Sequence, residues 1–202
     1  MTESKFQIQL ISGELFDLLE PDPALLTMDE ILVPLSSMFR WCGRTSVPWT
    51  VLDHTYLCVV AANKAGWDIV QPGLLRALAL HDAHEAFISD IPTPVKALLG
   101  LQLRELEKRL DACISARFNT DLLLFRDEIK QFDETALVAE AELLLPSHPA
   151  ASWIDPIRDR LDPSLLALMR NLIMPIKDMK DRGIQLRGII SENLPDKNIS
   201  IN

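Results

Sequence analysis

The sequence predicts an all-α domain with one small β-hairpin at its N-terminal end, and three observations carry that prediction. Apolar residues recur at helical spacing through most of the chain. Side-chain caps of the type that opens helices stand at Thr27-Met28-Asp29-Glu30 and Thr50-Val51-Leu52-Asp53. Short runs bracketing a turn are confined to Phe6–Leu10 and Glu14–Leu18, around Ser12-Gly13.

The elements follow in order. Pro21 and Pro23 end the hairpin, and a helix is expected from Thr27 to about Trp41. Cys42 to Pro48 is a loop. A second helix starts at Thr50 and is closed at Ala65 by Gly66; Val51, His54, Cys58, Ala61 and Ala65 share one of its faces, so His54 should point inward. A third helix is expected from about Pro72 to Ser89, where Leu74, Leu78, His81, Asp82, Glu85 and Ile88 share a face. Pro92-Thr93-Pro94 then predicts a rigid loop. Helices follow over about 101–118 and 121–145, the latter with Ile129, Phe132, Ala136, Leu143 and Leu144 on a stripe that also holds Asp133 and Glu140. A loop over 146–156, helices over 164–172 and 176–190 parted by Pro175, and a polar tail from Ser191 complete the chain. With no linker or internal repeat, one domain is expected over 1–202, with its core at about 6–145 and C-terminal helices at 163–190.

Composition narrows the function classes. The chain has 202 residues, 48% hydrophobic and 24% charged, a globular balance. Its net charge of −9 and lack of a basic run argue against a nucleic-acid polymer or an anionic membrane as partner. Cys42, Cys58 and Cys113 are odd in number and show neither a disulfide framework nor zinc-ribbon spacing, so a reducing, cytoplasmic setting is expected, with Cys58 and Cys113 as core residues. No signal-peptide layout or membrane-length apolar run is visible.

Against that background the polar residues on apolar stripes stand out: His54; His81, Asp82 and Glu85; Asp133. Burying an unpaired carboxylate costs several kcal/mol, and a bound cation offsets the cost. Two imidazoles and two carboxylates form a mixed N/O set suited to a divalent metal with positions left open to water. Taken singly, an inward His is ordinarily a hydrogen-bonded core residue, and a striped Asp a cap or ion-pair partner. Their joint order on separate helices is the stronger signal.

That order resembles the HD-domain metal-dependent phosphohydrolases, most closely their small 5′-deoxynucleotidase branch, and is similar also to phage enzymes that dephosphorylate deoxynucleoside triphosphates. Arg40-Trp41, His54, the segment His81-Asp82-Ala83-His84-Glu85 through Asp90-Ile91-Pro92-Thr93-Pro94-Val95-Lys96, and Asp133 carry the resemblance, which spans about two thirds of the chain. It implies an HD-type helical bundle with His54, His81, Asp82 and Asp133 as ligands of cobalt, manganese, zinc or magnesium. It implies Glu85 as the catalytic carboxylate, Asp90 on the sugar, and Arg40 and Trp41 lining the nucleotide site. His84 stands where the family has a small residue and is expected to be a neutral neighbour of the centre rather than a ligand. The C-terminal third has no counterpart.

The activity implied is removal of phosphate from 2′-deoxynucleotides, mono- or triphosphates, with a small deoxynucleotide as partner and a homo-oligomer as the expected assembly. Arg40 is the candidate for bidentate phosphate contact, and Lys96, Arg44 and Arg104 are further candidates. Without the resemblance, Arg40 reads equally well as a solvated helix end, Trp41 as core, and Asp90-Ile91-Pro92 as a plain helix stop. The alternative functions are a phosphodiesterase acting on cyclic or linear dinucleotides, and a regulatory module that binds nucleotide and metal without turnover. Glu85 argues against the latter, because a sensor needs no proton-transfer carboxylate.

Overall fold

In the computed structural model, which describes residues 5–146 and 152–192, the chain is helical apart from one hairpin. Strands β1 (Gln7–Gln9) and β2 (Leu15–Asp17) pair antiparallel, Ile8 opposite Phe16, and Gly13 at φ 90° makes the turn. The helices are α1 (Met28–Ser37), α2 (Val51–Lys64), α3 (Trp67–Val70), α4 (Leu74–Leu80), α5 (Glu85–Ile88), α6 (Thr93–Leu99), α7 (Leu101–Phe118), α8 (Arg126–Leu144), α9 (Asp155–Arg158), α10 (Pro163–Asp178) and α11 (Arg182–Ser191). Among the described residues, no helix is long and apolar enough to cross a membrane.

Helix α2 is the axis of the bundle. Every residue from Val51 to Val59 is buried, and α1, α3, α4, α8, α10 and α11 all pack on it. Its consecutive buried polar residues, Asp53, His54 and Thr55, therefore lie inside the bundle along with its apolar ones. Its N-terminus is a reciprocal capping box: the Thr50 N–H donates to Asp53 Oδ2 at 2.7 Å and the Asp53 N–H to Thr50 Oγ1 at 3.2 Å. At the other end Gly66 takes φ 78°, and Ala65, expected on the buried face, is exposed there.

Several expected boundaries move. Helix α1 stops at Ser37, short of Trp41, and its cap is one-sided: Thr27 Oγ1 accepts from the Glu30 N–H, while the Glu30 carboxylate turns to the backbone N–H groups of Ile11 and Ser12 at 2.8 and 2.9 Å. Pro94 falls in the first turn of α6 rather than in a loop, a position where the missing N–H costs nothing. Residues 122–125 are turns, so α8 begins at Arg126. Pro175 lies inside α10 instead of ending it: one hydrogen bond is lost, and the burial of Ile173 and Ile176 on either side holds the helix together. Leu143 is exposed although the stripe predicts it inside. Of the loop expected over 146–156, residues 152–158 form a short turn and α9, and 147–151 lie outside the described residues, as does the tail from 193.

Candidate metal centre

Helix α2 presents His54 and Cys58 one turn apart, so both side chains emerge on one face. Both are fully buried, and Cys58 Sγ lies 3.9 Å from His54 Nε2.

The stretch that supplies His81, Asp82 and Glu85 is not a continuous helix. Helix α4 ends at Leu80, residues 81–84 form turns, and α5 begins at Glu85. The N–H groups of Ala83, Glu85, Ala86 and Phe87 donate three residues back, to Leu80, Asp82, Ala83 and His84, at 3.0–3.2 Å. In such a tightened turn, side chains three apart nearly eclipse. Asp82 and Glu85, three residues apart, therefore stand on one side of the turn.

Four donor atoms converge around His54. Its Nε2 is 3.3 Å from His81 Nε2, 3.5 Å from Asp82 Oδ2 and 3.2 Å from Asp133 Oδ1, and His81 Nε2 is 3.3 Å from the same Asp82 oxygen. The other ring nitrogens fix the tautomers. His81 Nδ1 faces the Leu78 carbonyl at 2.7 Å, and His54 Nδ1 faces Glu140 Oε1 at 2.7 Å. Both partners only accept, so both Nδ1 atoms donate, and both Nε2 lone pairs turn toward the carboxylates. Four acceptors facing one another are stable only with a proton or a cation among them. Accordingly, burial works to lower His81 but the adjacent Asp82 carries it up to about 9. His54 ends well above its usual range: burial and Arg40 oppose this, and Cys58, Glu140 and Asp133 outweigh them. Asp82 and Asp133 are held low by the imidazoles against their burial. Asp82 Oδ2 has no hydrogen-bond partner. Such a donor set fits a divalent cation, with N···N and N···O separations close to the edges of about 3.3–3.4 Å that follow from bonds of about 2.0–2.2 Å at tetrahedral angles. The donor atoms of His54, Cys58 and His81 lie within 4.8 Å of one another, a buried His/Cys/His group that could hold a metal ion.

Glu140 organises the far side. One oxygen accepts from His54, while the other accepts from Arg40 Nε and from Trp41 Nε1, each at 3.0 Å. Arg40 and His54 keep the carboxyl down at about 2 against complete burial. The same Arg40 reaches Asp82 Oδ2 at 3.7 Å. Arg40 is thus buried and paired, not a solvated helix end. Trp41 is not at a helix end either: it and Cys42 adopt left-handed backbone, φ 58° and 51°, in a short turn over Arg40–Gly43. Non-glycine residues there cost of order 1–3 kcal/mol each and persist only where the surroundings hold them; the Glu140 bond supplies one such hold. The half-buried Trp41 ring also faces Trp153 at 6.1 Å.

Glu85 is buried and its Oε2 lacks a hydrogen-bond partner. Burial, with Asp82 and Asp90 adding to it, lifts its carboxyl to about 8. Asp90, half-buried, follows Ser89 at φ 75° and is raised by burial. Lys96 Nζ sits between Glu107 at 3.0 Å and Glu85 at 3.7 Å, so it already neutralises carboxylates. His84 turns away to α7, its Nδ1 2.9 Å from Asp111 Oδ1. It touches none of the four converging atoms in the manner of a ligand, but the expected neutral state is disfavoured: Asp111 raises it against burial. Arg44 and Arg104 are exposed.

His54, His81, Asp82 and Asp133 are thus brought together, with Arg40 and Trp41 joined to them through Glu140, while Glu85 and Lys96 pair with each other beside them. Glu140 and Cys58 are the members that sequence reasoning passed over. Glu140 was visible only as a polar residue on an apolar stripe, and Cys58 only as the residue one turn beyond His54.

Fold and site define a helical protein with a buried His/Cys/His group able to hold a metal, an arrangement compatible with an HD-like domain. No family model matches the chain. It is 32% identical over 163 residues to an uncharacterised protein of Rhodobacter capsulatus, covering 78% of this chain and 82% of that one, and it belongs to the same family. It is also 32% identical over 93 residues to the uncharacterised Escherichia coli protein YfdR, covering 46% of this chain and 47%, about half, of that protein.

Proposed function

We propose that this chain is an HD-type, metal-dependent phosphohydrolase that removes phosphate from 2′-deoxynucleotides, with His54, His81, Asp82 and Asp133 as metal ligands and Glu85 as the catalytic carboxylate. The observation that supports it is the convergence of those four donors, with Glu85 on the same side of the tightened turn as Asp82. A divalent cation, when bound, polarises a phosphate oxygen and lowers the pKa of water. Glu85, lifted to about 8, changes protonation near neutral pH, and so can give a proton to a leaving oxygen as well as take one from water. Arg40 binds Glu140 through Nε, and its terminal nitrogens, one of them 3.7 Å from Asp82 Oδ2, are the groups left to meet a phosphate oxygen. Asp90 accepts from a sugar hydroxyl, Trp41 packs its ring against C2′, and Lys96 adds positive charge at the edge of the site. Phosphate release from a panel of deoxy- and ribonucleoside mono- and triphosphates, each with zinc, cobalt, manganese or magnesium, tests the proposal. Release from deoxynucleotides that depends on added metal is the expected result; no release with any of these metals refutes it.

A further inference from the structure

We propose that Cys58 is itself a ligand of the metal centre, a soft donor that biases the site toward zinc and away from magnesium and manganese. This rests on the metal centre proposed above but adds a residue to it.

The geometry supports sulfur in that role. His54 and Cys58 stand one turn apart on α2, so the helix delivers both to one place. With Cys58 the centre has five donors, and at angles of about 90–120° bonds of about 2.0–2.1 Å to imidazole and about 2.3 Å to thiolate give N···N separations of about 2.9–3.6 Å and N···S separations of about 3.1–3.8 Å. The two imidazole nitrogens lie 3.3 Å apart, and Cys58 Sγ is 3.9 Å from His54 Nε2. The sulfur lies within 4.8 Å of the His81 donor nitrogen as well, so ligation draws it inward toward both imidazoles. The other cysteines provide the contrast. Cys42 is exposed, and Cys113 is an ordinary core thiol on α7, pushed up to about 11 by burial. Of the three cysteines, Cys58 is the one that shares a donor group with two histidines among the described residues.

Ligation requires the thiolate: the Cys58 S–H bond breaks, its proton passes to solvent, and the sulfur lone pair forms the bond to the metal, with no change of oxidation state. Thiolate and imidazole together suit zinc and related cations, whereas an all-carboxylate and water site suits magnesium or manganese. The wholly buried sulfur and the Asp133 carboxylate, whose side chain is 44% exposed, would then be the inner and outer donors.

Cobalt(II) is the probe, because its bond to a thiolate produces a near-ultraviolet charge-transfer band that nitrogen and oxygen ligands do not. The band is expected in the wild type and in Cys42→Ser, saturating at one cobalt per chain, and is expected to vanish in Cys58→Ala while visible cobalt bands remain. Competition between zinc and manganese should shift toward manganese in Cys58→Ala by about ten- to a hundredfold, the range typical of groups that tune metal affinity. Bound cobalt without the near-ultraviolet band in the wild type overturns the role of Cys58 and leaves the His/Asp centre standing. Failure to bind cobalt at all overturns both. The wild-type and Cys42→Ser spectra decide the matter even if Cys58→Ala does not fold.

Discussion

Glu140 Oε1 and His54 Nδ1 lie 2.7 Å apart, a contact between residues 86 positions distant that joins α8 to α2 at the centre of the bundle. The other Glu140 oxygen holds Arg40 and Trp41, so one carboxylate orients an imidazole of the candidate metal centre and the two groups proposed to meet the substrate. Glu140→Ala leaves Arg40 buried without its partner and is expected to cost about 3–5 kcal/mol of stability. Glu140→Gln keeps one acceptor, for His54, and turns an amide NH2 toward the Arg40 and Trp41 donors; it should cost less stability than Glu140→Ala, with metal affinity reduced about ten- to a hundredfold. Urea unfolding and metal titration read the two effects separately.

The same carboxyl makes a pH prediction. Glu140 is held at about 2 in the folded protein against an ordinary value of 4.5. Its contribution to stability is therefore complete above about pH 4.5 and fades as pH falls toward 2, because the unfolded chain takes up the proton first. The size is on the order of 3 kcal/mol. Unfolding midpoints measured between pH 6 and pH 3 should fall more steeply in the wild type than in Glu140→Gln.

Asp133 approaches His54 from the surface, at 3.2 Å with its side chain 44% exposed. Asp133→Ala should consequently keep the fold and lose metal. Elemental analysis of protein purified without chelator is expected to find one divalent ion per chain in the wild type and far less in the variant. Equal content in both would remove Asp133 from the ligand set.

Glu85→Ala should retain metal and the wild-type melting profile while losing phosphate release by about a hundredfold or more, the lower end of general acid–base contributions. Single-turnover assays with metal content measured on the same sample distinguish this from loss of the ion.

Trp41 should decide the sugar. An apolar ring against C2′ leaves a 2′-hydroxyl buried without a partner, which costs about 1–3 kcal/mol and gives about 5- to 150-fold preference for deoxynucleotides. Matched kcat/KM values in wild type and Trp41→Ala check this; the preference should collapse in the variant.

The ends of α2 and α7, and the inward direction of His54, were legible because they depend on local chemistry: a Thr–Asp capping box, a helix-closing glycine, a polar residue on an apolar stripe. What joins the site was not. Glu140 meets Arg40 across 100 positions and Trp41 across 99, and no local pattern encodes such a meeting. The tightened turn at 81–84 escaped because a single helical period fits the apolar residues on both sides of it. The left-handed Trp41 and Cys42 escaped because their residue types carry no signal for that backbone. Pro94 and Pro175 misled in the same way: proline breaks a helix by what its neighbours cannot supply, and here the first turn of α6 and the packing of α10 supply it.

The encasement of α2 has a consequence for how such a protein can diversify. Any change at His54 or its neighbours must be accommodated by the six helices packed around them, so this half of the candidate site tolerates few alternatives. The turn that carries Arg40 and Trp41 is tied down differently, by a bridge between Phe39 and Thr50 and a bond from the Ser46 N–H to the Leu144 carbonyl, and its exposed positions at Cys42, Gly43, Arg44, Ser46 and Pro48 pack against little. Exposed substitutions away from special backbone typically shift stability by no more than about 0.5 kcal/mol. Descendants of one ancestor can thus vary at the exposed positions of the 44–48 rim while inheriting an unaltered histidine-bearing interior.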